Sequence, residues 1–307
     1  MSDATLPEAK RQKTDAKILK GAEVAKEIRE QIKQEVQELK EKHSIVPGLV
    51  TILVGANPAS QSYIRSKNKT ATDLGFESVQ ETHPEDITEA KLLELVDKYN
   101  NDPKIHGILV QLPLPKHINE EKVLLAISPD KDVDGFHPTN VGKLLIGNPK
   151  FLPCTPYGIQ ELLVRSGQPL KGAEVVVVGR SNIVGKPIAA MLMQKSPTGN
   201  ATVTVCHTGT KDIAAHTRRA DIVIAAVGVK EYITGDMIKD GAVIIDVGVN
   251  EVGVTAEGKR ILKGDVCYAE CAAKASAITP VPGGVGPMTI TMLMKNTLAA
   301  AKAAVPQ

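Results

Sequence analysis

Tyr63 and Lys67 stand four residues apart in a stretch, 59–74, that reads as a helix stopped by Gly75, so their side chains share one face. No acid occupies the positions three or four beyond Lys67. If this face lines a cleft, burial disfavours the ammonium and leaves a neutral amine able to move protons. If it faces outward, Lys67 is an ordinary surface lysine. Gln111 closes an apolar segment, 107–112, just before Pro113 and Pro115. Ligand groups in open α/β sheets gather outside such strand ends, and an uncharged amide there could orient an amine without protonating it. Asp132 and Asp134, in Asp132-Val133-Asp134-Gly135, suit three roles: holding a metal, accepting from donor groups on a heterocycle, or capping a turn. The seven histidines show neither His-x-x-x-His nor HExxH spacing, so a site without metal is expected.

The second half carries a different chemistry. Four valines, 175–178, end at Gly179 and are followed by Arg180-Ser181-Asn182-Ile183-Val184-Gly185 and a helix-compatible run. Strand, glycine-bounded turn and helix N-terminus together make an anion site suited to a pyrophosphate, because free N–H groups and the helix dipole converge there. The spacing departs from G-x-G-x-x-G, so an ordinary tight turn is the alternative. Three more strands follow, at 202–206, 222–227 and 243–247. The second of the four ends in Cys206-His207-Thr208-Gly209-Thr210, where folds selecting NAD place an acid. A carboxylate about 4 Å from a phosphate charge would cost on the order of 4 kcal/mol at intermediate dielectric, so its absence permits a 2′-phosphate. Arg180 offers the positive partner and Thr208 a hydroxyl, which favours NADP over NAD. The competing reading of Arg180 is a solvated loop charge.

The elements that must position these groups alternate. A helix is expected at 21–40, from apolar residues at Val24, Ile28, Ile32, Val36 and Leu39. Strands at 49–54, 76–82 and 107–112 alternate with helices at 59–74 and 89–99. Such alternation predicts an α/β chain with parallel sheet covered by helices. The stretch 129–156 is richer in Gly, Pro and Asp and marks the boundary before a helix at 157–166. We expect two domains with a cleft between them. An N-terminal substrate domain spans 17–156 and is completed by a C-terminal helix at 288–304; a Rossmann-like NADP-binding domain spans 157–287. Residues 1–16 are expected to be a disordered tail.

Composition excludes several partners. The 307 residues carry a net charge of +2 and only 3% aromatics, which gives neither a general attraction to nucleic acid nor stacking platforms for it. The longest apolar runs are about half of a bilayer span, so no membrane helix is expected. Four cysteines without a CxxC pair fit reduced thiols and a cytoplasmic setting.

Five ordered motifs carry a family resemblance: Tyr63-Ile64-Arg65-Ser66-Lys67, Val110-Gln111-Leu112-Pro113, Asp132-Val133-Asp134-Gly135, Gly179-Arg180-Ser181, and the ten residues from Pro280 to Thr289. From about residue 18 to 304 the chain resembles the bifunctional methylenetetrahydrofolate dehydrogenase/methenyltetrahydrofolate cyclohydrolases. The resemblance implies oxidation of 5,10-methylenetetrahydrofolate by NADP, then hydrolysis of the methenyl product to 10-formyltetrahydrofolate, feeding purine biosynthesis. It implies that Lys67 promotes water addition, Gln111 holds and tunes it, Tyr63 packs along the folate and Asp134 binds the pterin. It also implies folate contacts at Val110, Leu112, Pro282, Gly283, Gly284, Val285 and Gly286, cofactor contacts at Gly179, Arg180, Ser181, Thr208 and Val249, and a homodimer. Thr208 stands where serine is frequent in the family. Another two-domain NADP reductase, of the shikimate dehydrogenase kind, would share the second half without requiring Tyr63, Lys67 and Gln111 together.

Overall fold

The computed structural model describes residues 16–255 and 260–306. The expected tail, with its basic cluster at Lys10, Arg11 and Lys13, lies outside the described residues apart from Ala16. The first lobe is built from α1 (Gly21–His43), β2 (Gly48–Val54), α2 (Pro58–Asp73), β3 (Glu77–His83), α3 (Glu89–Asn100) and β4 (Gly107–Val110), preceded by a short β1 (Lys17–Ile18). Its three strands are parallel in the order β3-β2-β4. Every residue of the central β2 is buried, which is why Gly48–Val54 reads as a continuous apolar run rather than an alternation. Ile28, Ile32, Val36 and Leu39 of α1 are buried, as their spacing requires, whereas Val24 is half-buried and its neighbour Ala25 takes the buried place. Gly75 stops α2 in the left-handed region, at φ +83°, while Phe76 N–H returns to Ala71 O at 3.0 Å.

The stretch 129–156 is not the plain loop that its composition predicts. It contains α5 (Pro138–Leu145), and α4 (Glu120–Ala126) precedes it. Pro138 sits in the first turn of α5, where a missing N–H costs nothing, and Asn119 caps α4 by accepting from Lys122 N–H. The expected strand 107–112 ends at Val110 as β4, although Gln111 N–H still donates to Ile52 O at 2.9 Å.

After α6 (Cys154–Arg165) comes the second lobe: β5 (Glu174–Val178), α7 (Gly185–Leu192), β6 (Thr202–Cys206), α8 (Ile213–Thr217), β7 (Ile222–Ala225), β8 (Val243–Asp246), β9 (Asn250–Val254), β10 (Arg260–Lys263), α9 (Tyr268–Ala272) and β11 (Ala277–Ile278). The main sheet has six parallel strands in the order β1-β11-β8-β7-β5-β6. It thus exceeds the four strands legible in sequence by two short ones. One of them, β1, comes from the stretch that sequence assigns to the first domain. Val175 and Val177 of β5 face the core shared with α1 and the C-terminal helix α10 (Val285–Ala303); Val176 and Val178 face a second core with Ile233, Ile238 and Val266. The β9–β10 hairpin has no counterpart in the sequence reading, because strands exposed on both faces leave no apolar alternation. The last helix, α10, packs on α1 and α6, so the chain ends against the first lobe. No helix among the described residues is long and apolar enough to cross a membrane.

Candidate active site

Lys67 is only 4% exposed, although it is charged by type and lies at the mouth of the sheet. Its Nζ sits 4.4 Å from the centroid of the Tyr63 ring, one helical turn earlier on α2, and donates to Gln111 Oε1 at 3.0 Å. Gln111 Nε2 donates to Leu112 O at 2.8 Å. That second bond fixes the amide: its NH2 is engaged by a carbonyl, so its oxygen must face the amine. Burial pushes the Lys67 amine below the ordinary lysine range, opposed by the nearby Asp134 and Cys154. The same surroundings, burial first and then Asp134 and Cys154, raise the Tyr63 phenol.

The two acids of the boundary segment divide their roles. Asp132 is buried and accepts from Phe136 N–H, His137 N–H and Asn140 Nδ2, so it clasps the turn. Asp134 is half-buried, and its field reaches Tyr63, Lys67 and Cys154. Gly135, at φ +76°, permits this turn, since a Cβ there would lie 2.9 Å from Pro153 N. Asn296 of α10 holds the turn from behind, donating to Val133 O and Leu152 O at 2.8 Å each.

A cleft of about 620 Å³ runs between the lobes. Tyr63, Ser66, Gln111 and Leu112 line one wall, and Val184, Val247, Val249, Val285 and Gly286 line the other. Beyond Tyr63 it continues into a second chamber walled by Pro282, Gly283 and Gly284. This loop is anchored to the first lobe: Ala22 N–H donates to Gly283 O at 3.1 Å, and a Cβ at Gly21 would lie 1.9 Å from Gly284 O. Val110 does not join the cleft by its side chain, which is buried in the core facing α3 and α4. Ser66, Thr155 and Thr289 also line the cleft, Ser66 and Thr289 inside motifs named above but given no role there, and Cys154 lies next to the lysine. Small hydroxyl residues and one buried thiol carry no local signal; only their neighbours in space distinguish them.

In the second sheet, β6 lies on one side of β5 and β7 on the other, so the strand order reverses at β5. Such a switch point is where open α/β sheets bind ligands. Gly179 ends β5 there at φ +127°, and a Cβ on it would lie 2.1 Å from Ala226 O beyond β7. Ser181 Oγ accepts from Val184 N–H at 3.1 Å and Gly185 N–H at 3.4 Å, which organises the turn into α7. The pairing of Val178 with Cys206 sets Arg180 and Thr208 at equivalent places beyond adjacent strands, and both are exposed. A glycine cradle at the switch point, a cation beside it and no carboxylate in 206–210 fit a dinucleotide bearing a 2′-phosphate.

Residues 19–134 match the family model described as the tetrahydrofolate dehydrogenase/cyclohydrolase catalytic domain, and residues 153–305 match its NAD(P)-binding domain. The chain belongs to the tetrahydrofolate dehydrogenase/cyclohydrolase family. Within that family it is 72% identical to Bifunctional protein FolD of Syntrophobacter fumaroxidans, over 94% of this chain and 97% of the relative. The solved FolD of Campylobacter jejuni superposes with a TM-score of 0.88 at 47% identity, covering 94% of this chain and 99% of that one. The Trypanosoma brucei FolD, solved with NADP cofactor and an inhibitor, gives 0.91 at 41% identity, covering 96% and 100%.

Proposed function

We propose that this member of the family oxidises 5,10-methylenetetrahydrofolate with NADP and hydrolyses the resulting 5,10-methenyl cation to 10-formyltetrahydrofolate in one cleft. The observation that carries this reading is the buried amine of Lys67, held by the uncharged amide of Gln111 directly behind a cleft that Tyr63 and Gln111 line on one side and Val184, Val247 and Val249 of the dinucleotide-binding lobe line on the other. NADP supplies the hydride acceptor when bound. Tyr63 offers its ring to the folate, and Asp134 offers acceptors to the N–H donors of the pterin. A protonated lysine about 4 Å from the methenyl cation would be repelled by roughly 4 kcal/mol at intermediate dielectric, so the depressed amine suits the step. As water adds to the methenyl carbon, Lys67 Nζ takes one of its protons; as the bond from that carbon to N5 breaks, that proton passes to N5 while the remaining hydroxyl proton leaves to solvent, so the formyl C=O forms and the cation's charge departs as H+.

The direct experiment mixes the protein with methylenetetrahydrofolate and NADP and follows absorbance. NADPH formation, with methenyl absorbance that rises and then decays, is expected. Absence of either phase sinks the corresponding half of the reading.

Cofactor choice has its own check. Thr208→Asp places a carboxylate next to the proposed phosphate contact and should weaken NADP by much more than NAD, with up to about 4 kcal/mol at stake for charges 4 Å apart. Equal losses for both cofactors, measured by titration calorimetry, would rule out a phosphate at this loop.

The same reading includes a homodimer, a cytoplasmic setting and supply of formyl groups for purine biosynthesis. All four cysteines are free thiols, which suits a reducing compartment. The hairpin β9–β10 is a two-stranded ribbon with Val252, Val254 and Ile261 exposed, and such ribbons are marginal alone and prone to pair. Sedimentation equilibrium should return twice the chain mass, and Val254→Lys with Ile261→Lys should shift it toward one. A wild type that sediments as a monomer ends the dimer proposal.

A further inference from the structure

Two carboxylates to which the reaction above assigns no role lie buried beneath the cofactor-facing edge of the second sheet, Asp246 at the margin of the second chamber. Asp265 is 0% exposed, and its Oδ2 accepts from Val227 N–H at 2.7 Å and Gly228 N–H at 2.8 Å. Its Oδ1 accepts from Asn250 Nδ2 at 2.9 Å. Asp246, at the end of β8, accepts from Gly248 N–H and Asp265 N–H on one oxygen and from Val266 N–H on the other. Among the described residues neither acid forms an ion pair with Lys, Arg or His. Their charge is met by N–H dipoles alone, and charge-assisted bonds of this kind are the strong ones. The packing is close enough to dictate sequence: a Cβ at Gly264 would lie 1.7 Å from Asp246 Oδ2, and one at Gly248 would lie 2.2 Å from Asp265 Oδ1.

The segments so held are the two that face the dinucleotide position. Residues 227–228 follow Ala226, whose carbonyl packs on Gly179, and Val249, between Gly248 and Asn250, lines the cleft. Among the described residues no hydrogen bond or ion pair joins Asp246 or Asp265 to Lys67, Gln111 or Asp134, although Asp246, Gly248 and Val249 line the second chamber beyond Tyr63. We propose that Asp265, braced by Asp246, is a positioning residue for hydride transfer alone: it pre-forms the cofactor-facing loops and leaves water addition independent of it. The inference rests on the dehydrogenase/cyclohydrolase reading above. Pre-forming the loops removes an ordering cost from cofactor binding.

Asp265→Ala and Asp265→Asn are to be measured for NADP affinity by titration calorimetry and for hydrolysis of methenyltetrahydrofolate without cofactor. The expected result for Asp265→Ala is an NADP dissociation constant raised about 10-fold or more. Cofactor-free hydrolysis should stay within about twofold of wild type, the scatter of a substitution outside that half of the site. Asp265→Asn, which keeps one acceptor oxygen, should lie between. Unchanged NADP affinity, or equal losses in affinity and hydrolysis, overturns the proposal. A wild type unable to hydrolyse the methenyl compound would count against the parent reading instead. Should neither variant fold, amide hydrogen exchange of wild-type protein without NADP decides: Val227 and Gly228 protected supports the latch, and exchange at open-loop rates overturns it.

Discussion

Lys67→Met should abolish hydrolysis of methenyltetrahydrofolate, lowering its rate by at least the 10²–10⁴-fold typical of a lost general base. Methionine fills much of the lysine's volume and tolerates an apolar pocket, so the fold should survive and the loss report on the amine. Lys67→Arg sharpens the test. The guanidinium stays protonated, so it should not rescue activity despite keeping a donor to Gln111. The wild-type hydrolysis rate should rise with pH as the amine loses its proton, with a midpoint below that of an ordinary lysine because burial disfavours the ammonium. Hydrolysis near the wild-type rate in the methionine variant would remove Lys67 from the mechanism.

Gly179→Ala carries the second large effect. The backbone at φ +127° is one that side chains avoid, and the added methyl would meet Ala226 O at 2.1 Å. β5 and β7 are paired through Val178 and Ala225, immediately before this contact, so the strands cannot part without losing their ladder. Strain of about 3 kcal/mol, expressed at the cofactor position, corresponds to more than 100-fold weaker NADP binding. Titration calorimetry checks it, with circular dichroism to confirm a folded chain. NADP affinity within a few-fold of wild type would show that this glycine is a packing residue only.

Asp132 and Asp134 illustrate how far local sequence reaches. Spacing alone leaves both open to capping, recognition or metal binding; the fold separates them by giving Asp132 three N–H donors and leaving Asp134 half-buried, with its field reaching the lysine. Val110 and Gln111 show the same limit. They are neighbours in sequence, yet alternation along the strand turns the valine into the core while the glutamine meets Lys67. Asn296 holds the Asp134 turn from 163 residues away, and no local pattern announces such a partner.

Features that depend on near neighbours along the chain were legible before any fold was known. Periodicity specified the alternating helices and strands, the shared face of Tyr63 and Lys67, the glycine turn after β5 and the missing acid after β6. The packing of distant segments was needed to bury the lysine, to turn the Gln111 oxygen toward it, and to bring the 280–286 loop against α1 as a wall of the second chamber. The reason is physical: the ionisation of an amine depends on its burial and on the polar groups set around it, and here those groups, Gln111 just after β4, Asp134 in the boundary segment and Cys154 on α6, come from distant parts of the chain and meet by packing alone.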